Sequence, residues 1–291
     1  MTETTVPKQI RNRIMHQWRG RKELGRAAKC DAIVLSRAKS GRTWLRAMIS
    51  RMYQRHYSLD ETQLLEFDNF HKQNRDIPLL LFTHGYYLRQ EIESMGSAAR
   101  CARKKCLFLV RNPCDVAVSE YFQSTKRAKQ VKLDLYGIDK NMPVFDFVMK
   151  GPLGIPSTIA YLNSWSKSLD KVDQVLRIRY EDLRAEPFEG LSQVTEFLGA
   201  PFSTETVREA VEFTDFENLK NLEKEDFFNN SRLRARNPDD PDSFKVRRGK
   251  VEGYRDYFNE EQIQQMEELV RTRLTPIFGY YAEAEPGHRH R

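Results

Sequence analysis

The stretch Ala32-Ile33-Val34-Leu35-Ser36-Arg37-Ala38-Lys39-Ser40-Gly41-Arg42-Thr43-Trp44-Leu45 decides the fold class of this chain. An apolar run of strand length leads into a short turn, and apolar residues at helical spacing follow. Such a turn exposes free backbone N–H groups and the positive end of the helix dipole. The pattern predicts an anion site in which Lys39 supplies charge, Ser40 and Thr43 supply hydroxyls, and Gly41 lets the backbone come close.

The spacing of this turn argues against a Walker A nucleoside triphosphatase, because the first glycine before a Gly-Lys-Ser/Thr ending is missing. The turn resembles instead the phosphosulfate-binding loop of sulfotransferases that use 3′-phosphoadenosine 5′-phosphosulfate (PAPS). That loop usually reads Tyr-Pro-Lys-Ser-Gly-Thr-Thr-Trp. The chain departs from it at Arg37-Ala38 and has Arg42 in place of the first threonine, but it keeps Lys39, Ser40, Gly41, Thr43 and Trp44. The resemblance assigns the whole run 39–44, with Arg42 included, to the cofactor.

A second segment, residues 106–121, predicts a buried strand that ends at Arg111 and a helix that begins at Pro113. It resembles the family's 3′-phosphate site, and the resemblance assigns Arg111 and Ser119 to that phosphate. A guanidinium suits the task because it binds phosphate bidentately and stays charged.

A third segment, residues 244–255, resembles the family's Arg-Lys-Gly-x-x-Gly loop, which folds over the 3′-phosphate. The resemblance assigns Arg247, Arg248 and Gly249 as nucleotide contacts. The acidic, turn-rich stretch before it, residues 237–242, is typical of a mobile segment. We therefore expect a lid that orders when the nucleotide binds.

Four residues are assigned to the adenine base by their order along the chain and by the resemblance. Trp44 follows the phosphosulfate loop, Tyr180 lies in a Tyr-Glu-Asp sequence after an apolar strand, and Thr214 and Phe216 resemble the family's Thr-Ser-Phe contact. The resemblance implies that these side chains line the purine.

The expected general base is His84, which follows the apolar run 79–83. Open α/β sheets bind ligands at the carboxyl ends of their strands, and histidine removes protons readily near neutral pH. The segment resembles the family's Lys-Thr-His, with Phe82 in place of the lysine. We expect His84 to deprotonate the acceptor while Lys39 stabilises the leaving phosphate, and the resemblance implies that Ser119 restrains Lys39 until the acceptor arrives.

The pattern of the chain predicts an α/β fold: a single domain with a central parallel sheet flanked by helices, of the P-loop-kinase-like sulfotransferase type. The domain spans residues 30–280, between a basic segment (1–29) and a tail (281–291). Segments 60–78 and 129–156 are expected to be irregular and to cover the acceptor. Strands are predicted near 32–36, 79–83, 105–110 and 174–179, and helices near 43–55, 114–128, 158–168, 188–198 and 259–273. Candidates for the acceptor wall are Phe67, Phe70, Tyr86, Tyr87, Phe122, Tyr136, Met142 and Phe145.

Composition agrees with this interpretation. The 291 residues carry a net charge of +7, and several of the excess cations lie in the nucleotide motifs. The four cysteines form no Cys-x-x-Cys pair, which predicts no zinc site and favours a reducing compartment. Without a signal peptide or an apolar run of membrane-spanning length, the sequence predicts a cytoplasmic protein.

The basic segment 1–29 has Ile10, Ile14 and Trp18 four residues apart, which predicts an amphipathic helix. We expect its apolar stripe to dock on the domain, and weak contact with an anionic membrane surface stays open. No nucleic-acid-binding motif is present, so no nucleic acid partner is expected.

The sequence therefore predicts transfer of a sulfuryl group from PAPS to a hydroxyl acceptor, with 3′-phosphoadenosine 5′-phosphate (PAP) as product and no metal. An amine acceptor stays open, and the acceptor could be a small molecule, a lipid or a glycan. A monomer and a homodimer are both open, because the family's short dimerisation motif is not found near Arg255. The alternatives are a nucleotide-dependent phosphotransferase and a non-catalytic adenine-nucleotide-binding relative.

Overall fold

The computed structural model describes residues 8–200 and 202–281, except for the side chains of residues 8–16 and 132. The described residues form a sheet of four parallel strands in the order β2-β1-β3-β4. All four strands lie where the sequence predicts them: β1 (Ala32–Ser36), β2 (Leu80–Thr83), β3 (Lys105–Val110) and β4 (Gln174–Arg179).

Helices surround this sheet, and the predicted ones are confirmed with small shifts of their ends. The segments predicted to be irregular contain three short helices, at Asn69–Gln73, Gln130–Tyr136 and Val144–Lys150. A π-helical turn at Gln123–Arg127 follows the helix that begins at Pro113. The helices are α1 (Lys8–Lys29), α2 (Arg42–Tyr57), α3 (Asn69–Gln73), α4 (Tyr86–Met95), α5 (Pro113–Phe122), α6 (Gln130–Tyr136), α7 (Val144–Lys150), α8 (Ile155–Leu169), α9 (Tyr180–Ala185), α10 (Pro187–Leu198), α11 (Thr204–Phe213), α12 (Phe216–Lys224) and α13 (Glu260–Arg273).

Strand β1 is buried along its whole length because both faces of the sheet are covered. Ile33 and Leu35 face a core shared with α1, α4, α5, α8 and α13. Ala32 and Val34 face the opposite core, shared with α2, α10 and α11. The alternation of side chains along a strand thus divides one apolar run between two cores.

The strand order creates a crevice at the carboxyl ends of β1 and β3. From β1 the chain continues to β2 on one side, and from β3 it continues to β4 on the other side. Connections that leave in opposite directions open a space between the two strand ends, where α/β sheets bind ligands. The Lys39–Gly41 turn and Arg111 follow these two strands.

Helix α1 confirms the predicted helix, although its docking differs from the expectation. Leu24 and Ala27 pack toward the domain, but Trp18 is 54% exposed and has the Lys22 ammonium 4.9 Å from its ring centre. The expectation that Trp18 docks is therefore wrong. The side chains of Ile10 and Ile14 lie outside the described residues. Among the described helices, none is long and apolar enough to cross a membrane.

Candidate active site

The turn between β1 and α2 is held in a conformation that favours glycine at two positions. Gly41 has φ 92° and Lys39 has φ 68°, both in the left-handed region. A Cβ atom at Gly41 would lie 2.4 Å from Cδ2 of Tyr180. Only glycine therefore lets the turn pack this closely against α9.

The predicted site residues come together at the crevice. All of them except Ser40 line one cleft: Lys39, Gly41, Arg42, Thr43, Trp44, His84, Arg111, Ser119, Tyr180, Thr214, Phe216, Arg247, Arg248 and Gly249. Ser40 is buried beside it, and among the described residues its Oγ has no hydrogen-bond partner. The cleft holds about 1100 Å³ including its open mouth.

Lys39 lies among other cations in this cleft. Its Nζ donates to Oε1 of Gln123 at 3.2 Å, whereas the resemblance predicts a contact with Ser119. Loss of hydration and the nearby Lys245 ammonium lower the pKa of Lys39 well below its usual value. Burial, followed by repulsion from Arg127, lowers the pKa of Lys245 to about 8. An anionic ligand would relieve this repulsion.

Arg111 connects the β1–α2 turn to the third segment, residues 244–255, which we call the C-terminal loop. Its guanidinium donates to the backbone oxygens of Lys39 and Lys250, both at 3.2 Å, and lies 3.6 Å from the Asp115 carboxylate. It also covers the ring of Tyr180 at 4.3 Å. Among the described residues its buried Nε has no partner, which leaves a donor for a ligand.

The C-terminal loop carries the other two predicted arginines, and both are ion-paired within the loop region. Arg247 lies 3.3 Å from Asp242, and Arg248 pairs with Asp256. Gly249 has φ 58°, and a Cβ atom there would lie 2.6 Å from Cδ2 of Phe216. The loop backbone is thus seated directly on a predicted adenine-contacting ring.

The aromatic residues predicted for adenine form one wall of the cleft. Trp44 meets Tyr180 edge to face at 5.9 Å, and its Nε1 donates to the backbone oxygen of Thr214 at 2.9 Å. The Thr214 hydroxyl donates to the backbone oxygen of Ala210, so its hydrogen is already used inside the protein. The guanidinium of Arg184, which the sequence analysis missed, lies 5.2 Å from the Trp44 ring.

His84 leaves the end of β2 with its ring oriented by two contacts. Its Nδ1 lies 2.7 Å from the backbone oxygen of Ser36, and a carbonyl can only accept, so Nδ1 carries the hydrogen. Its Nε2 lies 3.1 Å from Nη2 of Arg42. Loss of hydration against the cleft wall and repulsion from Arg42 lower the pKa of His84 to about 3. The ring is therefore neutral, with its lone pair on Nε2.

The structure also places in the cleft residues that the sequence motifs did not reveal. Asp115 accepts hydrogen bonds from the backbone N–H groups of Glu252 and Tyr254, at 3.0 and 3.1 Å, and ties the C-terminal loop to α5. Lys245 lies in the third segment, two positions before the first matched residue, Arg247. For both Asp115 and Lys245, the only signal in the sequence was a charged side chain inside one of the matched segments.

The cleft suits an anionic nucleotide on the evidence of its own atoms. Buried donors without a partner among the described residues point to a ligand that accepts hydrogen bonds: Ser40 Oγ, Arg42 Nη1 and Arg111 Nε. In the described part of the chain, no group of three or more His, Cys, Asp or Glu side chains is arranged to hold a metal ion.

Some of the predicted acceptor-wall residues belong to the core instead. Phe70 is fully buried against α2 and was wrongly assigned to the wall. Phe67, Phe122, Met142 and Phe145 are partly buried against the other core, while Tyr86 and Tyr136 are exposed.

Comparison with known sequences matches most of the chain to one family. A model of the sulfotransferase domain matches residues 29–277. Cytosolic sulfotransferase 7 of Arabidopsis thaliana is 31% identical over 218 residues, 66% of this chain and 65% of that protein. Flavonol 3-sulfotransferase of Flaveria bidentis is 26% identical over 272 residues, 84% of this chain and 81% of that protein. The chain thus spans just under two thirds of the first relative and about four fifths of the second.

Solved structures share the fold. Mouse sulfotransferase SULT7A1 complexed with PAP has a TM-score of 0.56 at 21% identity, covering 86% of this chain and 87% of that one. Retinol dehydratase in complex with retinol and PAP also has a TM-score of 0.56, at 18% identity, covering 87% of this chain and 86% of that one. At these identities the likeness shows the fold alone.

Proposed function

The chain belongs to the PAPS-dependent sulfotransferase family, and we propose that it transfers the sulfuryl group of PAPS to a hydroxyl acceptor with the residues of this cleft. One observation carries the proposal. The Lys39 turn, His84, Arg111 and the Gly249 loop, which lie far apart in sequence, line a single cleft at the carboxyl ends of β1, β2 and β3.

The nucleotide would be held by the cations and aromatic rings of this cleft. Arg111 and Ser119, with Arg247, Arg248 and Gly249, surround the place proposed for the 3′-phosphate. Trp44, Tyr180, Thr214 and Phe216 form the wall proposed for adenine. Ser40 and Thr43 would donate from the turn together with its free N–H groups.

The chemistry would divide between His84 and Lys39. His84 presents an unprotonated Nε2 and would take the acceptor proton as the acceptor oxygen attacks sulfur. Lys39 would hold the negative charge that develops on the bridging oxygen as the sulfur–oxygen bond breaks. Bound PAPS supplies an activated sulfuryl group whose leaving group is a phosphate anion.

The acceptor is proposed to be a small molecule. Retinol dehydratase, one of the structural neighbours, has been solved in complex with androsterone and with retinol, both of which carry a hydroxyl group. We also propose a cytoplasmic location, since several curated relatives are named cytosolic sulfotransferases. Residues 30–280 are proposed as the enzyme domain.

The proposal is tested by thermal stabilisation of the purified protein with PAP, AMP and ATP. PAP should raise the melting temperature well above the shift given by AMP or ATP, because only PAP carries the 3′-phosphate. Arg111→Met should remove the preference for PAP over AMP. Stabilisation by ATP alone would favour phosphoryl transfer, and equal responses to PAP and AMP would overturn the 3′-phosphate site.

A further inference from the structure

Arg42 is a predicted cofactor-binding residue whose contact with the cofactor the proposed function leaves unspecified. It is the first residue of α2, it lines the cleft, and its guanidinium Nη2 lies 3.1 Å from Nε2 of His84. The Ser36 carbonyl fixes the hydrogen of His84 on Nδ1, so Arg42 donates to the lone pair that a base must use. In this arrangement the lone pair on Nε2 of His84 is engaged by the Arg42 guanidinium.

The guanidinium of Arg42 also lacks a partner of opposite charge. Among the described residues no carboxylate lies within ion-pair distance of it, and the Glu23 carboxylate accepts hydrogen bonds from Thr83 and from the backbone of Tyr87 instead. Its Nη1 is buried without a hydrogen-bond partner in the part of the chain that is described. A partly buried guanidinium with an unpartnered donor favours an anion that accepts from it.

The strand that carries His84 supplies no cation of its own. Phe82 lies two residues before His84, and its ring packs in the core with the Arg46 guanidinium at 3.9 Å. Arg46 is nearly fully buried and donates to the backbone oxygen of Leu65, and it lies 3.6 Å from Glu66. Arg42 is therefore a cation in direct contact with His84 that can meet an incoming anion.

The position of Arg42 identifies which part of the donor it would meet. During in-line transfer the acceptor oxygen lies between the base and sulfur, so the sulfonate oxygens are within one or two hydrogen-bond lengths of His84 Nε2. Arg111, by contrast, donates to backbone oxygens of the β1–α2 turn and of the C-terminal loop, where the proposed function places the phosphates.

We propose that Arg42 binds the sulfonate oxygens of PAPS and, in doing so, releases Nε2 of His84. In the free protein Arg42 donates to His84, and when PAPS binds it donates to the sulfonate. The acceptor oxygen then forms its bond to sulfur, the bond from sulfur to the bridging oxygen breaks, and its electron pair stays on PAP. The acceptor proton moves to the freed Nε2. This inference rests on the proposed function.

The test compares two ligands that differ only in the sulfonate. Dissociation constants for PAP and PAPS are measured by calorimetry with the unsubstituted protein and with Arg42→Thr and Arg42→Lys. Arg42→Thr should leave PAP binding within about twofold, weaken PAPS binding about tenfold and lower the rate of sulfuryl transfer about 10²-fold. Arg42→Lys should recover part of the PAPS affinity, because it restores the positive charge but not the planar guanidinium that can donate two parallel hydrogen bonds.

Arg75→Thr, at an exposed position outside the cleft, is the matched control and should change neither constant. Circular dichroism of each variant shows that it has folded. Equal weakening of PAP and PAPS, or no change in either, would overturn the role of Arg42 and leave the proposed function standing. Absence of PAP binding to the unsubstituted protein would overturn both.

Discussion

The Glu223 carboxylate, on α12, accepts a hydrogen bond at 2.6 Å from the backbone N–H of Lys245 in the C-terminal loop. No sequence motif includes both residues. The same buried carboxylate accepts from the N–H of Val246 at 2.7 Å and from Arg127 at 3.2 Å. Asp115 holds the other end of the loop at Glu252 and Tyr254. Two buried carboxylates therefore fix the segment that carries Arg247, Arg248 and Gly249.

Glu223→Gln should destabilise the protein and weaken PAP binding together. The amide keeps the size of the side chain but leaves Arg127 without its charge partner and replaces an acceptor oxygen with a donor. We expect the free energy of unfolding to fall by about 3 kcal/mol. Urea unfolding and PAP calorimetry measure the two effects, with the exposed Glu225→Gln as control. Equal stability of the two variants would show that Glu223 does not hold the loop.

Gly249→Ala should weaken PAP binding more than it weakens folding. Gly137→Ala is its matched control, since the two glycines have φ of 58° and 63°, but only at Gly249 would an added Cβ atom have a neighbour within 4 Å, the Phe216 ring. Both variants should lose roughly 1 kcal/mol of stability from the positive φ. Only Gly249→Ala should also lose PAP affinity, by about tenfold, because the loop or the Phe216 ring must move. Unchanged PAP affinity in Gly249→Ala would show that the position of the Phe216 ring does not affect nucleotide binding.

Much of the fold followed from local patterns, and the contacts that complete the cleft did not. The turn around Lys39, the strand ending at Arg111 and the strand before His84 each lie within one short segment, where apolar spacing and turn residues suffice. The Glu223 and Asp115 contacts join residues 22 and 137 positions apart. Nothing in either local segment specifies its partner, so only the packed structure shows them.

The affinity for PAP should fall as the pH rises through about 8, where burial places the pKa of Lys245. An anion binds the protonated ammonium, so affinity is full below this pKa and is lost above it. Lys245→Arg should keep its affinity at pH values where the unsubstituted protein loses it, because the guanidinium stays charged. Calorimetric titrations with PAP across this range provide the measurement. An identical slope in both proteins would assign the pH dependence to another group, with Lys39 the next to substitute.

His84→Gln should abolish turnover without affecting PAP binding. Removal of a general base typically costs a factor of about 10² to 10⁴ in rate. The rate is measured as PAP release from PAPS with a panel of simple phenols and alcohols. His56→Gln is the control, because His56 is exposed and packs against Tyr57 and Phe202 outside the cleft. Retained turnover in His84→Gln would place the base elsewhere.

The pH profile adds a second test of His84. Histidine acts as a base in its neutral form, and the lowered pKa of about 3 keeps it neutral throughout the range in which an ordinary histidine takes up a proton. The rate constant at low PAPS concentration should therefore show no acid limb from His84 between about pH 8 and pH 5. In Arg42→Thr the repulsion from Arg42 is gone, so the acid limb should move to higher pH. An acid limb near the usual histidine value in the unsubstituted protein would contradict the lowered pKa of His84.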